Sequence, residues 1–437
     1  MSEILFLSIL LIPPTFMLLA WIKSGNFFNP VTIFNIWWGG FIFMSTRDLA
    51  GLRMPTERAY ILILFALCTY SLGGISFLSP VKRKLGSDKT VKHSSLPVKL
   101  KIFLYLQILF TVLLLFYASK AISILRNMDA GSFRALVFDE GGIFGSNRKY
   151  FMYFILPSLY TNAFLCTSLV FKGAIKKRFL IVSLLNLILY SMITVGRVPI
   201  FIAIMGFSFG LVYIMQIKKI KIKPTYIIAA AAPVVFIFLM SIFRKNYMTA
   251  AKDPLTIFAE YFVWYFTGAF TALDHFLDFV KPGEHYDYSY FRAVFAGIEE
   301  IFYPLSKRIF SGYASVNDSI HDFTKIYRSL GGAASRHNSH FTMLLAFMWD
   351  AGIYGVLIFP FIFGSIVSSV YNNFRIFHKT STFASLLLLT YLSLMGIMRW
   401  ELRYIWSWMT LFMIFFFSKK FILKAESKSN EPHQEKT

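Results

Sequence analysis

Cysteine is nearly absent: Cys68 and Cys166 are the only two, and both stand inside apolar runs. That excludes a disulfide framework and a cysteine-zinc site, and leaves two inert thiols. Charge is scarce as well, at 15% of residues against 57% hydrophobic. Soluble domains are about half apolar and about a quarter charged, so this balance points to a membrane-embedded chain. Acids are fewer than bases, 22 against 44, giving a net charge of +22. No basic face or binding module accompanies that charge, so nucleic acid is not the expected partner. The P-loop, nucleophile-elbow, H-E-x-x-H and dinucleotide patterns are all missing, which leaves nucleotide-driven and those hydrolytic chemistries without support. Internal repeats and low-complexity tracts are also lacking, which counts against the repeat-built transporter folds. The chain starts Met1-Ser2-Glu3 with no basic region ahead of its first apolar run, which therefore reads as a retained helix.

What is present is long apolar runs and 50 phenylalanines. A hydrocarbon core of ~30 Å takes ~20 residues as a helix, and its backbone groups must be satisfied internally. Eleven spans are expected (10–12), near 3–22, 31–50, 58–79, 101–119, 151–171, 179–195, 198–217, 225–243, 343–371, 382–398 and 404–418, the ninth bent near Gly352 and Gly355. Basic clusters stand at Lys82-Arg83-Lys84 with Lys89, Lys92 and Lys99, at Lys176-Lys177-Arg178, at Lys218-Lys219 with Lys221 and Lys223, at Arg375 and Lys379, and at Lys419-Lys420. An even number of spans separates each from the next, so the positive-inside rule places all five in the cytoplasm, with the N-terminus outside and the C-terminus inside.

The fold expected is an all-α polytopic membrane protein: helices one to eight over 1–243, a large external loop over 244–338, helices nine to eleven over 339–418, and a cytoplasmic tail over 419–437. Within the loop, Leu255 to Val280 is apolar yet holds Glu260, Asp274, His275 and Asp278. A twelfth span there would export the last two basic clusters, so an interfacial or re-entrant amphipathic helix is the expectation. Asp274, Asp278, Glu260, Glu299 and Glu300 are expected on solvated helix faces, and Tyr261, Phe262, Trp264, Tyr265 and Phe266 on a membrane-lying one.

Three places carry candidate chemistry. In Ser335-Arg336-His337-Asn338-Ser339-His340, Asn338 or Ser339 suits a helix N-cap. His337 would then lie at the positive end of a helix, where the field keeps imidazole neutral and able to accept a proton. His340 competes for that role, and a plain capping or solvent-facing histidine is the blander reading. Arg197 stands in a short turn with no acid near it in sequence, so it either snorkels to lipid headgroups or meets an anion. Guanidinium matches phosphate oxygens with paired hydrogen bonds. Arg399 and Arg403, four apart around Trp400-Glu401-Leu402, share a face if that turn is helical, with Glu401 neutralising one of them. No metal site and no cofactor are expected.

His337-Asn338, a hydrophobic helix and then Asp350-Ala351-Gly352-Ile353-Tyr354-Gly355 resemble the His-Asn, acid-x-Gly-x-x-Gly pattern of the O-antigen polymerase and ligase superfamily. Tyr265 to Asp274 is similar to the start of the large periplasmic loop in oligosaccharide repeat unit polymerases, and Thr194-Val195-Gly196-Arg197 to their Ser/Thr-x-x-Arg turn. The resemblance implies a GT-C-like helical architecture in a bacterial inner membrane. It implies a Wzy-type polymerase that passes a growing glycan from undecaprenyl pyrophosphate to a lipid-linked repeat unit, with membrane lipid and a chain-length regulator as partners. It also implies that Arg197, Arg399 and Arg403 hold pyrophosphate and that His337 is the base, with Arg336, Asn338, His340 and Asp274 in support. An O-antigen ligase acting on a lipid A core is the near alternative. A lipid-linked oligosaccharide flippase is the alternative from another class.

Overall fold

The computed structural model describes residues 1–47, 52–80, 96–128, 142–217, 254–279, 287–310, 312–324 and 341–418, with residues 132–133, 136–137 and 330 between them; of 254–262 and 279 it gives the backbone only. Every regular element among these is a helix: α1 (Glu3–Ser24), α2 (Pro30–Ser45), α3 (Glu57–Phe77), α4 (Val98–Leu125), α5 (Gly145–Phe171), α6 (Lys177–Thr194), α7 (Val198–Ile217), α8 (Pro254–Phe279), α9 (Ala296–Ile309), α10 (Val316–Thr324), α11 (Leu344–Phe377), α12 (Thr380–Met395) and α13 (Ile405–Ser418). Seven of them, α1, α3 to α7 and α11, are long and apolar enough to cross a membrane. Each coincides with an expected span. The expected spans near 31–50, 382–398 and 404–418 appear as the shorter α2, α12 and α13, and the one at 225–243 lies outside the described residues.

The surface is inverted relative to a soluble protein. Val98, Ile102, Leu109 and Phe116 on α4, and Ile4, Leu11 and Ile22 on α1, are all more than 60% exposed. Apolar area on that scale suits lipid as the surrounding medium. α5 is almost wholly enclosed by its neighbours, so it forms the centre of the bundle and α1 and α4 its rim. Small residues let the main pair cross closely: a Cβ on Gly73 would lie 2.0 Å from the Phe361 carbonyl oxygen, and one on Gly364 would lie 2.1 Å from that of Tyr70.

One end of the bundle gathers the described basic residues of the basic turns, at Lys99, Lys176 to Arg178, and Arg375 to Lys379. An Arg375 Nη1 donates to the carbonyls of Ser24 at 3.1 Å and Ser79 at 3.5 Å, tying the ends of α1, α3 and α11. Tyr371 donates to Gln216 at 2.9 Å, which brings in the end of α7. Lys172, after α5, reaches Thr380 at the start of α12. Lys99 lies 4.6 Å over the ring of Phe416, joining the start of α4 to the end of α13. The opposite, far end carries Thr56 before α3, the α6–α7 turn and the α12–α13 turn.

At the far end α11 is two helices, not one. Ala351 (φ −151°, ψ 24°) and Gly352 (φ 57°, ψ −139°) break it, the latter in a region open only to glycine. Twelve residues of straight helix span ~18 Å, yet the rings of Phe347 and Phe359 lie 5.4 Å apart, so 344–350 folds back on the span that follows. The expected bend is therefore a reversal. Gly355 permits it, since a Cβ there would lie 2.0 Å from the Phe347 carbonyl oxygen. Asp350 holds it, accepting from the backbone of Ala293 and Val294 at 2.8 Å each and from the Ser289 hydroxyl. The freed carbonyls of Trp349 and Asp350 take the N–H groups of Ser289 and Tyr290 at 3.1 and 3.2 Å.

α8 differs from its expectation in what it packs on. Phe266, Phe270, Leu273 and Phe276 are buried, and the Phe266 ring lies 4.6 Å from Phe41 and 5.4 Å from Trp37 of α2. This apolar stripe is spent on the protein, so the helix is docked through it on α2 where a membrane-lying face was expected. Asp278 is exposed, as expected, but Asp274 departs from a solvated face. Asp274 is 2% exposed and accepts from the Thr56 backbone at 3.1 Å and from its hydroxyl, at the N-terminus of α3.

Candidate functional site: a two-arginine cleft at the far end

α12 has 16 residues and rises about 24 Å before the chain turns. That turn, residues 396–404, is pinned on several sides. The Gly396 carbonyl accepts from Met343 at 2.6 Å. Trp400 donates to the Val294 carbonyl at 2.8 Å, and its ring sits 5.0 Å from Phe347 and 5.1 Å from Phe363. The Ile405 N–H at the start of α13 donates to Glu300 at 3.2 Å, a carboxylate at a positive helix end.

Arg399 and Arg403, both from this turn, line a small cleft. Its other lining includes Thr324 of α10, and Phe341 and Thr342, which directly follow 331–340 in the chain. The two arginines meet on Tyr404: Arg403 Nη2 donates to its hydroxyl at 2.7 Å and Arg399 Nη1 at 3.3 Å. Both guanidinium carbons also lie over its ring, at 4.7 and 4.8 Å. The pair does not share a helical face as the four-residue spacing suggested. Trp400 and Tyr404 are extended and only Glu401–Arg403 turns, as a 3₁₀ helix, so the side chains converge through a reversal of the backbone.

Glu401 neutralises Arg399 specifically, through Nε at 2.8 Å. Burial alone lowers the Arg399 pKa, and the Glu401 carboxylate more than restores it, so the guanidinium is held charged. Arg403 is 5% exposed and its Nε has no hydrogen-bond partner among the described residues. Burial also pushes the Glu300 carboxyl above its ordinary range, opposed by the Ile405 N–H, Asn317 and the Arg403 charge. Glu299 next to it receives Arg292 at 2.7 Å and Tyr313 at 2.8 Å. Neither acid stands on a solvated face.

The remaining expected site residues fall elsewhere. Arg197 caps α7, its carbonyl accepting from Ile200 at 3.0 Å and Phe201 at 3.1 Å, while its guanidinium lies 5.3 Å over the ring of Tyr265 on α8. It is at the far end but is not part of the cleft lining. Asp274 belongs to the α3–α8 contact. Arg336, His337, Asn338 and His340 lie outside the described residues. Sequence reasoning missed Tyr404 and Trp400, although both are aromatics directly beside the arginines. Chemically, two guanidiniums lining one small cleft have the donors to pair with a compact polyanion. Comparison with known protein families, with curated proteins and with solved structures finds no match for this chain.

Proposed function

We propose that this chain is a glycosyltransferase of the oligosaccharide repeat unit polymerase type. It transfers a growing glycan from undecaprenyl pyrophosphate to the terminal sugar of a lipid-linked repeat unit on the external face of a bacterial inner membrane. The observation that carries the reading is the pair Arg399 and Arg403, converging on one cleft at the end of the bundle opposite the basic turns. In the proposed reaction the acceptor hydroxyl attacks the anomeric carbon and the carbon–oxygen bond to the diphosphate breaks. The electron pair stays on the diphosphate, where fixed guanidiniums stabilise the growing charge. The acceptor's proton passes to His337 or His340. The glycosyl diphosphate bond supplies the driving force, so neither a nucleotide sugar nor a metal is required.

Three features support this assignment. The cleft sets apolar side chains such as Phe341, Leu345 and Trp400 beside the two arginines, as an amphiphile with a diphosphate needs. Its wall is continuous in the chain with 331–340, which holds the proposed base. Asp350, Gly352 and Gly355, the acid-x-Gly-x-x-Gly residues, form the reversal whose other half, 344–350, contributes Leu345 and Ala346 to the cleft.

The test is elongation by the purified chain in detergent with a lipid-linked repeat unit as the only sugar source. A product ladder that disappears in Arg403→Ala and His337→Ala supports polymerisation. Transfer to a lipid A core without elongation points to the ligase, and an unchanged ladder in both variants removes these residues from the mechanism.

A further inference from the structure

Paired with the cleft-lining Arg399 is a buried carboxylate that does not itself line the cleft. Glu401 is fully buried, one oxygen pairs with Arg399 Nε at 2.8 Å, and the other has no hydrogen-bond partner among the described residues. A buried ion pair with an unsatisfied oxygen is a poor stabiliser, because desolvation of both charges offsets their attraction and the orphaned acceptor adds its own penalty. Packed apolar residues in place of both partners would avoid these costs, whereas removing Glu401 alone would leave the Arg399 guanidinium without its carboxylate.

What Glu401 does change is charge. Without it the cleft presents two guanidiniums; with it one is cancelled, and among the described residues Arg403 is left as the arm with no direct ion pair. Glu300, the other acid close to Arg403, is already engaged by Asn317 and the Ile405 N–H. A clamp must bind the departing diphosphate in the transition state and then release it. Charge that binds the product as tightly as the transition state lowers KM without raising turnover.

We propose that Glu401 is a positioning residue that sets the net charge of the Arg399–Arg403 clamp, fixing Arg399 in place while keeping its grip on the diphosphate product weak enough for release. This rests on reading the cleft as the diphosphate site. Glu401→Gln keeps an acceptor for Arg399 Nε and removes the charge; Glu401→Asp keeps the charge. A purely structural role predicts weaker binding in both.

The experiment is calorimetric binding of inorganic pyrophosphate to the purified full chain in detergent, with elongation kinetics alongside. Glu401→Gln is expected to bind pyrophosphate about tenfold tighter than the wild type, the scale of one unscreened charge at close range, and to lower kcat and KM together. Glu401→Asp is expected to show no tightening. Glu401→Ser, which leaves room for a water beside Arg399, reads the same loss of charge if the glutamine variant does not accumulate. Equal or weaker pyrophosphate binding by the neutral variants overturns the charge-setting role while leaving the cleft assignment standing. Wild-type protein whose pyrophosphate binding is absent, or is untouched by Arg403→Ala, overturns the cleft assignment and this inference with it.

Discussion

The two ends of the bundle treat positive charge in different ways. At the basic end, Arg375 spends its guanidinium on the Ser24 and Ser79 carbonyls and Lys172 reaches Thr380, so cations close helix ends. At the far end, Arg399 is paired with a fully buried glutamate and Arg403 is 5% exposed over a tyrosine ring. Cations at a membrane boundary normally snorkel to water or headgroups at little cost. Burying them is expensive, and the far end offsets that cost with Glu401 and the Tyr404 hydroxyl where the basic end uses backbone carbonyls. The same physical group closes helix ends at one end and, in the reading proposed above, stabilises a leaving group at the other.

Mutations should separate the two ends cleanly. The largest effect is expected from Arg403→Ala, which should lower the elongation rate by about 10²–10³-fold, the loss typical when one preorganised charge donor is removed. Thermal unfolding in detergent should show the variant still folded, and a rate within a few-fold of wild type would break the comparison. Asp350→Ala comes next. It strands two backbone N–H groups and the Ser289 hydroxyl around the α11 reversal, and should cost about 3 kcal/mol of stability. Unfolding midpoints of Asp350→Ala and Asp350→Asn would check it, the asparagine being the milder.

Arg197→Ala tests whether the far end is one site or several. Losing its stacking on Tyr265 should cost about 1 kcal/mol, and a rate loss as large as that of Arg403→Ala would draw Arg197 into the clamp. The smallest change is expected from Glu300→Gln. Because burial raises the Glu300 pKa in the folded chain from 4.5, the folded state binds its proton more tightly than the unfolded one. Its contribution to stability is therefore fully present below that value and declines as pH rises past it. The glutamine variant should lose this component of the pH–stability slope and otherwise unfold close to wild type.

Much of the helical plan was legible because hydrocarbon imposes it. The seven long spans follow from apolar runs, and the basic turns at Lys176-Lys177-Arg178 and at Arg375 and Lys379 collect at one end as their spacing required. The bend in α11 was visible in Gly352 and Gly355, but its depth was not, because it depends on Asp350 finding a loop some 57 residues earlier in the chain. The docking of α8 was hidden for a similar reason: an apolar stripe reads alike whether it meets lipid or Trp37 and Phe41. Arg399, Glu401 and Arg403 were singled out by their signs. That they converge through a 3₁₀ turn onto Tyr404 is a backbone geometry which four-residue spacing, read as α-helix, misstates.

The central claim is that the arginines of the far-end cleft act on the reaction while the arginine of the basic end serves structure. Elongation rates of purified Arg403→Ala and Arg375→Ala, measured side by side on the same lipid-linked repeat unit, test it most directly. Loss of elongation in Arg403→Ala with near wild-type rates in Arg375→Ala is the predicted result; equal rates in the two variants, whether both retained or both lost, would contradict it.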